Sequence, residues 1–307
     1  MKKTTYSAEL GDKSRRLDIF VSSKSSLSRA YVQKLIKQEM VLVNSKPEKA
    51  NYKINPGDSI ELTIPDEPGN TLTPENIPLD IVWEDDYIVV INKPPFMVVH
   101  PGAGHKSGTL INAILARCEK LASIGAPLRP GIVHRLDKDT SGLIVLAKDN
   151  ASYFNLIKQF KERQVEKHYL ALLYSTLKKD RGEINSAIGR AVSDRKKMST
   201  KTRRGKEAVT QFEVIQRYKS ATLTKVRIIT GRTHQIRVHF ASQGHPVLGD
   251  KLYGKKTSLR LAHKTINFNR QMLHAYSLKF KHPVSGNPLE FTAPMPEDLE
   301  RAVEELS

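Results

Sequence analysis

Residues 131–148, GIVHRLDKDTSGLIVLAK, crowd five groups that can carry charge or move protons into one short segment: His134, Arg135, Asp137, Lys138 and Asp139. Apolar runs at Ile132-Val133 and from Leu143 to Ala147 flank them. This pattern, closed by Thr140-Ser141-Gly142, predicts a strand–loop–strand whose loop displays its charges at a site. A carboxylate held in such a loop can act as a nucleophile or a base. Two carboxylates two positions apart also admit a glycosidase, which needs its pair about 5–9.5 Å apart across a sugar. Residues i and i+2 on one strand reach only the lower limit. Sugar-stacking aromatics are scarce, with one Trp and 7% aromatic residues overall.

Three further segments carry groups suited to a site. INKPPFMVVHPG, residues 91–102, presents Lys93, a Pro-Pro bend and His100. KHYLALLY places Lys167 and Tyr169 at the start of an apolar strand. GRTHQIRVHF, residues 231–240, reads as a strand interrupted by Arg232, His234, Arg237 and His239. Each segment taken singly has a plainer explanation. Tyr169 suits a core tyrosine with its hydroxyl at the surface, and Arg135, Lys138 and Arg237 suit surface charges. His100, His134, His234 and His239 fall at no familiar zinc spacing, so no metal is expected. Cys118 is the only cysteine; it excludes a disulfide framework and reads as a small buried hydrophobe.

The elements that must position these groups belong to a chain of 307 residues with 39% hydrophobic and 27% charged residues, enough for a sizeable core. The net charge of +18 attracts polyanions, nucleic acid before membrane surface. Residues 1–75 contribute only +2 of it. The surplus peaks between Arg195 and Lys206, where Arg195, Lys196, Lys197, Arg203 and Arg204 join two more lysines with no acidic residue. That run predicts a loop or hairpin touching phosphate. No apolar run approaches the roughly 18–20 residues that span a bilayer, and the N-terminus lacks the hydrophobic segment of a secretory signal. A cytoplasmic monomer without membrane attachment is the expectation.

Residues 1–65 predict a small α+β unit. Within it, Ser28 caps a helix to about Glu39 with Ala30, Val32, Leu35 and Ile36 on its apolar stripe, and Val41–Val43 and Ile60–Ile64 are strands. Residues 66–78, DEPGNTLTPENIP, predict a linker. Residues 79–307 predict a mixed α/β (α+β) domain. Its helices fall at Thr109–Cys118 and at Ala151–Glu162, where Phe154, Ile157 and Phe160 recur at helical spacing. Its strands lie near residues 81–83, 88–91, 169–173, 209–215, 221–229 and 278–280, in a mainly antiparallel sheet.

The four segments, in this order, together with GDKLYG at 249–254 and RQMLHAYSLKF at 270–280, closely resemble the motifs of the RluA/RluD-type pseudouridine synthases. RRLDIFV, SRAYVQKLIKQEMVLVNSK and KINPGDSIEL resemble the S4-type RNA-binding domain. The resemblance implies an enzyme that isomerises uridine to pseudouridine without a cofactor, most readily in large-subunit (23S) ribosomal RNA. It makes Asp137 the nucleophile, Arg237 its basic partner and Tyr169 the ring that stacks on the target uracil. It makes Arg135 the residue that fills the space the flipped base leaves, and Ile236 the apolar floor. Asp139 is left to cap the Thr140-Ser141-Gly142 turn. In the S4-like unit it gives Arg29 and Lys34 to RNA. A catalytically silent RNA-binding or ribosome-assembly protein using the same basic surface is the alternative, and a glycosidase or nuclease a third reading.

Overall fold

The computed structural model describes residues 2–25, 27, 29–64, 72–102, 104–118, 121–123, 129–192, 194, 197–202 and 204–307. The chain divides into two compact units, residues 1–73 with 122–131, and residues 74–121 with 132–307.

In the smaller unit, strand Ser59–Ile64 pairs antiparallel with both Lys2–Ser7 and Val41–Val43. Helices Leu17–Ser25 and Arg29–Lys37 complete it. Val32, Leu35 and Ile36 recur at three- and four-residue spacing and are buried. Ala30, expected on that stripe, is exposed, and Tyr31 packs against the core instead. The expected Ser28 cap lies outside the described residues. Asp18, in the first turn of Leu17–Ser25, is fully buried and ties the helices together. It accepts from Arg16 Nε at 3.0 Å, Arg29 Nε at 2.9 Å and Gln33 Nε2 at 2.6 Å. Burial pushes its pKa up, but Arg16, Gln33 and Arg29 outweigh it and hold the carboxyl well below its usual range.

The larger unit is built on a nine-stranded sheet in the order Asp80–Glu84, Ile88–Lys93, Ser141–Ala147, Leu273–Lys281, Glu166–Tyr174, Ala221–Ile228, Val209–Arg217, Arg181–Asn185, with Pro288–Thr292 also on Leu273–Lys281. Every pairing is antiparallel except that of Ser141–Ala147 with Leu273–Lys281. All seven residues of SGLIVLA are buried, which explains an unbroken apolar run rather than an alternating one. The parallel pair joins at His274↔Ser141 and Ala275↔Gly142, just after the loop that carries Asp137.

Several sequence expectations are corrected. Ile132-Val133 forms no strand, only a single bridge between Ile132 and Leu146. Residues 235–242 are an α-helix, Gln235–Ser242, not a strand. Ile236, Val238 and Phe240 alternate like a strand, but the helix is buried on all sides from Gln235 to Phe240, so no polar face marks its period. Helix Asn150–Lys161 buries Ser152, Leu156 and Gln159, while Phe154 is 60% exposed. Helix Glu297–Leu306 was not foreseen; it buries Leu299 and Ala302. Of the expected linker, residues 66–71 lie outside the described residues and 72–78 form no helix or strand.

Gly142 has φ +111, and a Cβ there would collide with the Ala275 backbone. Gly142→Ala should therefore cost about 2–4 kcal/mol of stability. Gly244→Ala, at φ +84 in open space, should cost only about 1 kcal/mol. Urea unfolding of the two variants checks the contrast.

Candidate active site

The Asp137 loop is short, and backbone contacts fix its shape. The Thr140 N–H donates to the Asp137 carbonyl at 3.1 Å. Lys93, at the end of strand Ile88–Lys93 and fully buried, donates through Nζ to the carbonyls of Pro94 (2.7 Å), Met97 (2.9 Å) and Lys138 (3.1 Å). Burial and then Arg270 push its pKa down to about 7, against the pull of Asp137 and Asp139. Arg270, also buried, reaches the Asp139 carbonyl at 3.2 Å while its fork closes on Asp298 at 2.6 and 2.7 Å. Gln271 Nε2 donates to Thr140 Oγ1 at 3.1 Å. The expected Asp139 cap is thus corrected: the turn closes through the Asp137 carbonyl, and Asp139 contributes its own carbonyl to Arg270.

Helix Gln235–Ser242 delivers Arg237 to this loop. Gln235, buried, anchors the helix start. It accepts from Thr230 Oγ1 at 2.7 Å and the Arg232 N–H at 3.0 Å, and donates to the Val209 carbonyl at 3.0 Å. His234 occupies the N-cap position at φ 56, in the left-handed region, without a side-chain capping bond, a strained backbone held by its surroundings. The Arg237 guanidinium is divided between two carboxylates. Nε and Nη2 grip Asp250 at 2.7 and 3.0 Å, and Nη1 donates to Asp137 Oδ2 at 2.9 Å.

Asp250 is 0% exposed and accepts the N–H groups of Leu252 and Tyr253 as well, so it is sealed from solvent. Asp137 is 18% exposed, with His234 Nε2 3.8 Å from its Oδ1. That oxygen is the one left for a ligand. Burial pulls the Arg237 pKa down, but Asp250 and Asp137 more than reverse this and leave it raised. His234, by contrast, is held below its ordinary value by burial, despite Asp137. Its Nδ1 meets the Tyr253 hydroxyl at 2.8 Å.

Asp137, Arg135, Tyr169, Ile236 and Arg237 all line one cleft of about 480 Å³, large enough for a small ligand. Tyr169, on strand Glu166–Tyr174, is 7% exposed. Burial first and Asp137 second push its phenol above its ordinary value, so it keeps its proton. Arg135 is exposed and Ile236 buried. Arg195, Lys196 and Arg203 lie outside the described residues. Lys197 sits 3.9 Å from Asp194 and Arg204 is exposed; neither lines the cleft. Arg29 and Lys34 belong to the smaller unit, Arg29 bound to Asp18 and Lys34 over the Tyr31 ring. Among the described residues no group of three His, Cys, Asp or Glu could hold a metal. His239, one of the histidines weighed as a ligand, is bonded to Thr210 and Ser186. The supporting roles of Asp250 and Tyr253 were not read from the sequence, although both lie in the GDKLYG block singled out there.

Comparison with known proteins gives a consistent result. Residues 87–242 match the RNA pseudouridylate synthase family and residues 15–60 the S4 domain. The uncharacterized RNA pseudouridine synthase YlyB of Bacillus subtilis is 44% identical over 307 residues, covering 100% of this chain and 99% of its own. The ribosomal large subunit pseudouridine synthase D of Xylella fastidiosa is 41% identical, covering 94% of this chain and 88% of its own. The structure of human RNA pseudouridylate synthase domain containing 1 superimposes with a TM-score of 0.56 at 26% identity, covering 76% of this chain and 96% of that one.

Two predictions test the geometry. Asp250→Ala strips a buried guanidinium of its main partner and should cost about 3–5 kcal/mol in denaturant unfolding. His134, whose Nε2 accepts from the Val145 N–H at 3.0 Å, has its pKa pushed down to about 3 by burial and then by Lys167. The unfolded chain therefore takes up this proton first as pH falls below about 6.5. Stability should drop toward pH 4 by up to about 1.4 kcal/mol per unit from this group. His134→Gln should flatten that part of the pH profile.

Proposed function

Because the chain belongs to the RNA pseudouridylate synthase family, we propose that the Asp137 cleft is its uridine-isomerising site and that large-subunit ribosomal RNA is its substrate. The protein is an isomerase, and its S4 domain binds RNA. The family's reaction breaks the bond between N1 and ribose C1′ and forms one between C5 and C1′. The C5 proton is lost and N1 ends with a proton, so mass is unchanged and no group is imported.

In this reading Asp137 Oδ1 meets the nucleotide as nucleophile or base, while Arg237 steadies the charge on Oδ2. The observation that carries it is the asymmetry of the two carboxylates on Arg237, one sealed and one open to the cleft. Tyr169 offers its ring to the uracil and its O–H as a donor, and Ile236 gives an apolar floor. The target base must leave its stack, at a cost of roughly a few kcal/mol, and exposed Arg135 is suited to fill the gap. Phosphate contacts offset that cost; Lys197 and Arg204, with Arg195, Lys196 and Arg203 beside them in sequence, supply charge for them. Relatives named for the ribosomal large subunit support the choice of RNA. The alternative of a catalytically silent RNA-binding protein finds no support among the relatives. A monomer working in the cytoplasm completes the proposal.

The test is chemical mapping of pseudouridine in ribosomal RNA transcripts incubated with the protein. The natural chain should yield pseudouridine at discrete uridines with no change of mass, and Asp137→Asn none. Product from Asp137→Asn at the natural rate would remove Asp137 from the reaction.

A further inference from the structure

Three large cations inside the larger unit end on oxygen: Lys93 on three carbonyls, Arg237 on two carboxylates, Arg270 on Asp298. Lys167 does not. Lys167 lines the cleft, and its ammonium lies 5.3 Å from the centre of the Phe160 ring, which stacks on His134 at 4.8 Å. Among the described residues no hydrogen bond or ion pair reaches it. Burial pushes its pKa down to about 8. The aromatic face attracts the charge without satisfying its three donors. A desolvated ammonium with free donors, open to a cleft, is a place for an anion.

The strand sets the distance. Lys167 and Tyr169 are two residues apart on Glu166–Tyr174 and so share a face, about 6.6 Å apart along the strand. Lys161, Arg163 and Arg232 line the same cleft. Arg163 is held by Glu207 at 2.8 Å and Arg232 by the Glu207 carbonyl at 3.0 Å, so both are already partly engaged. A uracil on the Tyr169 ring would bring its adjoining backbone toward Lys167.

We propose that Lys167 is a substrate-binding residue that takes a phosphodiester next to the flipped uridine. The inference rests on the reading of the cleft as a uridine site. On this account Lys167 contributes charge where Asp137 contributes chemistry, and binding of the phosphate supplies the acceptors that the folded chain withholds.

The experiment compares the natural protein, Lys167→Met and Lys167→Arg on one large-subunit ribosomal RNA transcript across a salt series. Binding is followed directly, and turnover by tritium release from [5-³H]uridine in the same RNA. Lys167→Met should weaken binding roughly tenfold at low salt and flatten the log–log salt slope by about 0.7–0.9. In turnover it should raise KM more than it lowers kcat, and Lys167→Arg should restore most of the slope. An unchanged slope, or Lys167→Arg as impaired as Lys167→Met, would make Lys167 a prop for Phe160 and overturn the proposal. Absence of tritium release from the natural protein would count against the uridine site itself, and the binding slopes would still decide the phosphate contact.

Discussion

A single guanidinium shared by two unequal carboxylates governs the larger unit. Arg237 could not be buried alone, because an unpaired charge in the interior is far more costly than one compensated by hydrogen bonds. Asp250 meets that need with a two-pronged grip, itself backed by the Leu252 and Tyr253 N–H groups. What remains of the fork, Nη1, is aimed at Asp137. The geometry requires arginine: a lysine offers a point charge and could not hold both carboxylates in fixed directions. The direction of the guanidinium that meets Asp137 in the cleft is therefore set by a contact with a carboxylate outside it.

The loop bearing Asp137 is equally constrained from behind. Lys93 and Arg270 come from strands on either side of Ser141–Ala147 or just before them, and each donates to a loop carbonyl, at Lys138 and Asp139. Neither touches the Asp137 side chain. Both are fully buried, and together they fix the backbone from which that side chain projects. Gly142 lets the following strand approach Ala275 closely enough to begin the parallel pairing. Loop, strand and helix thus meet where the sheet changes direction of pairing.

Part of this arrangement was legible in the sequence because several motifs co-occur in the order of a known family. That resemblance, rather than any one residue's setting, singled out Asp137, Tyr169 and Arg237, and they do line one cleft. The strands with unbroken apolar runs, Ile88–Lys93 and Ser141–Ala147, were also readable. Helix Gln235–Ser242 was not, because burial on every side erased its period and left a two-residue alternation. The buried face of Asn150–Lys161 was misjudged for the opposite reason: Ser152 and Gln159 are polar yet inside, Gln159 bonded to the Lys281 carbonyl. Asp250 was invisible as a partner since its role depends on a contact thirteen residues away, across a helix.

Arg270 gives helix Glu297–Leu306 a hold on the loop beside Asp137. Its fork is closed by Asp298, on that helix, while its remaining nitrogen reaches the Asp139 carbonyl. Detaching the helix would leave a buried guanidinium without its counter-charge, and the loop would lose one of its restraints. The order of the reactive centre is thus tied to the docking of an element that contributes no side chain to the cleft.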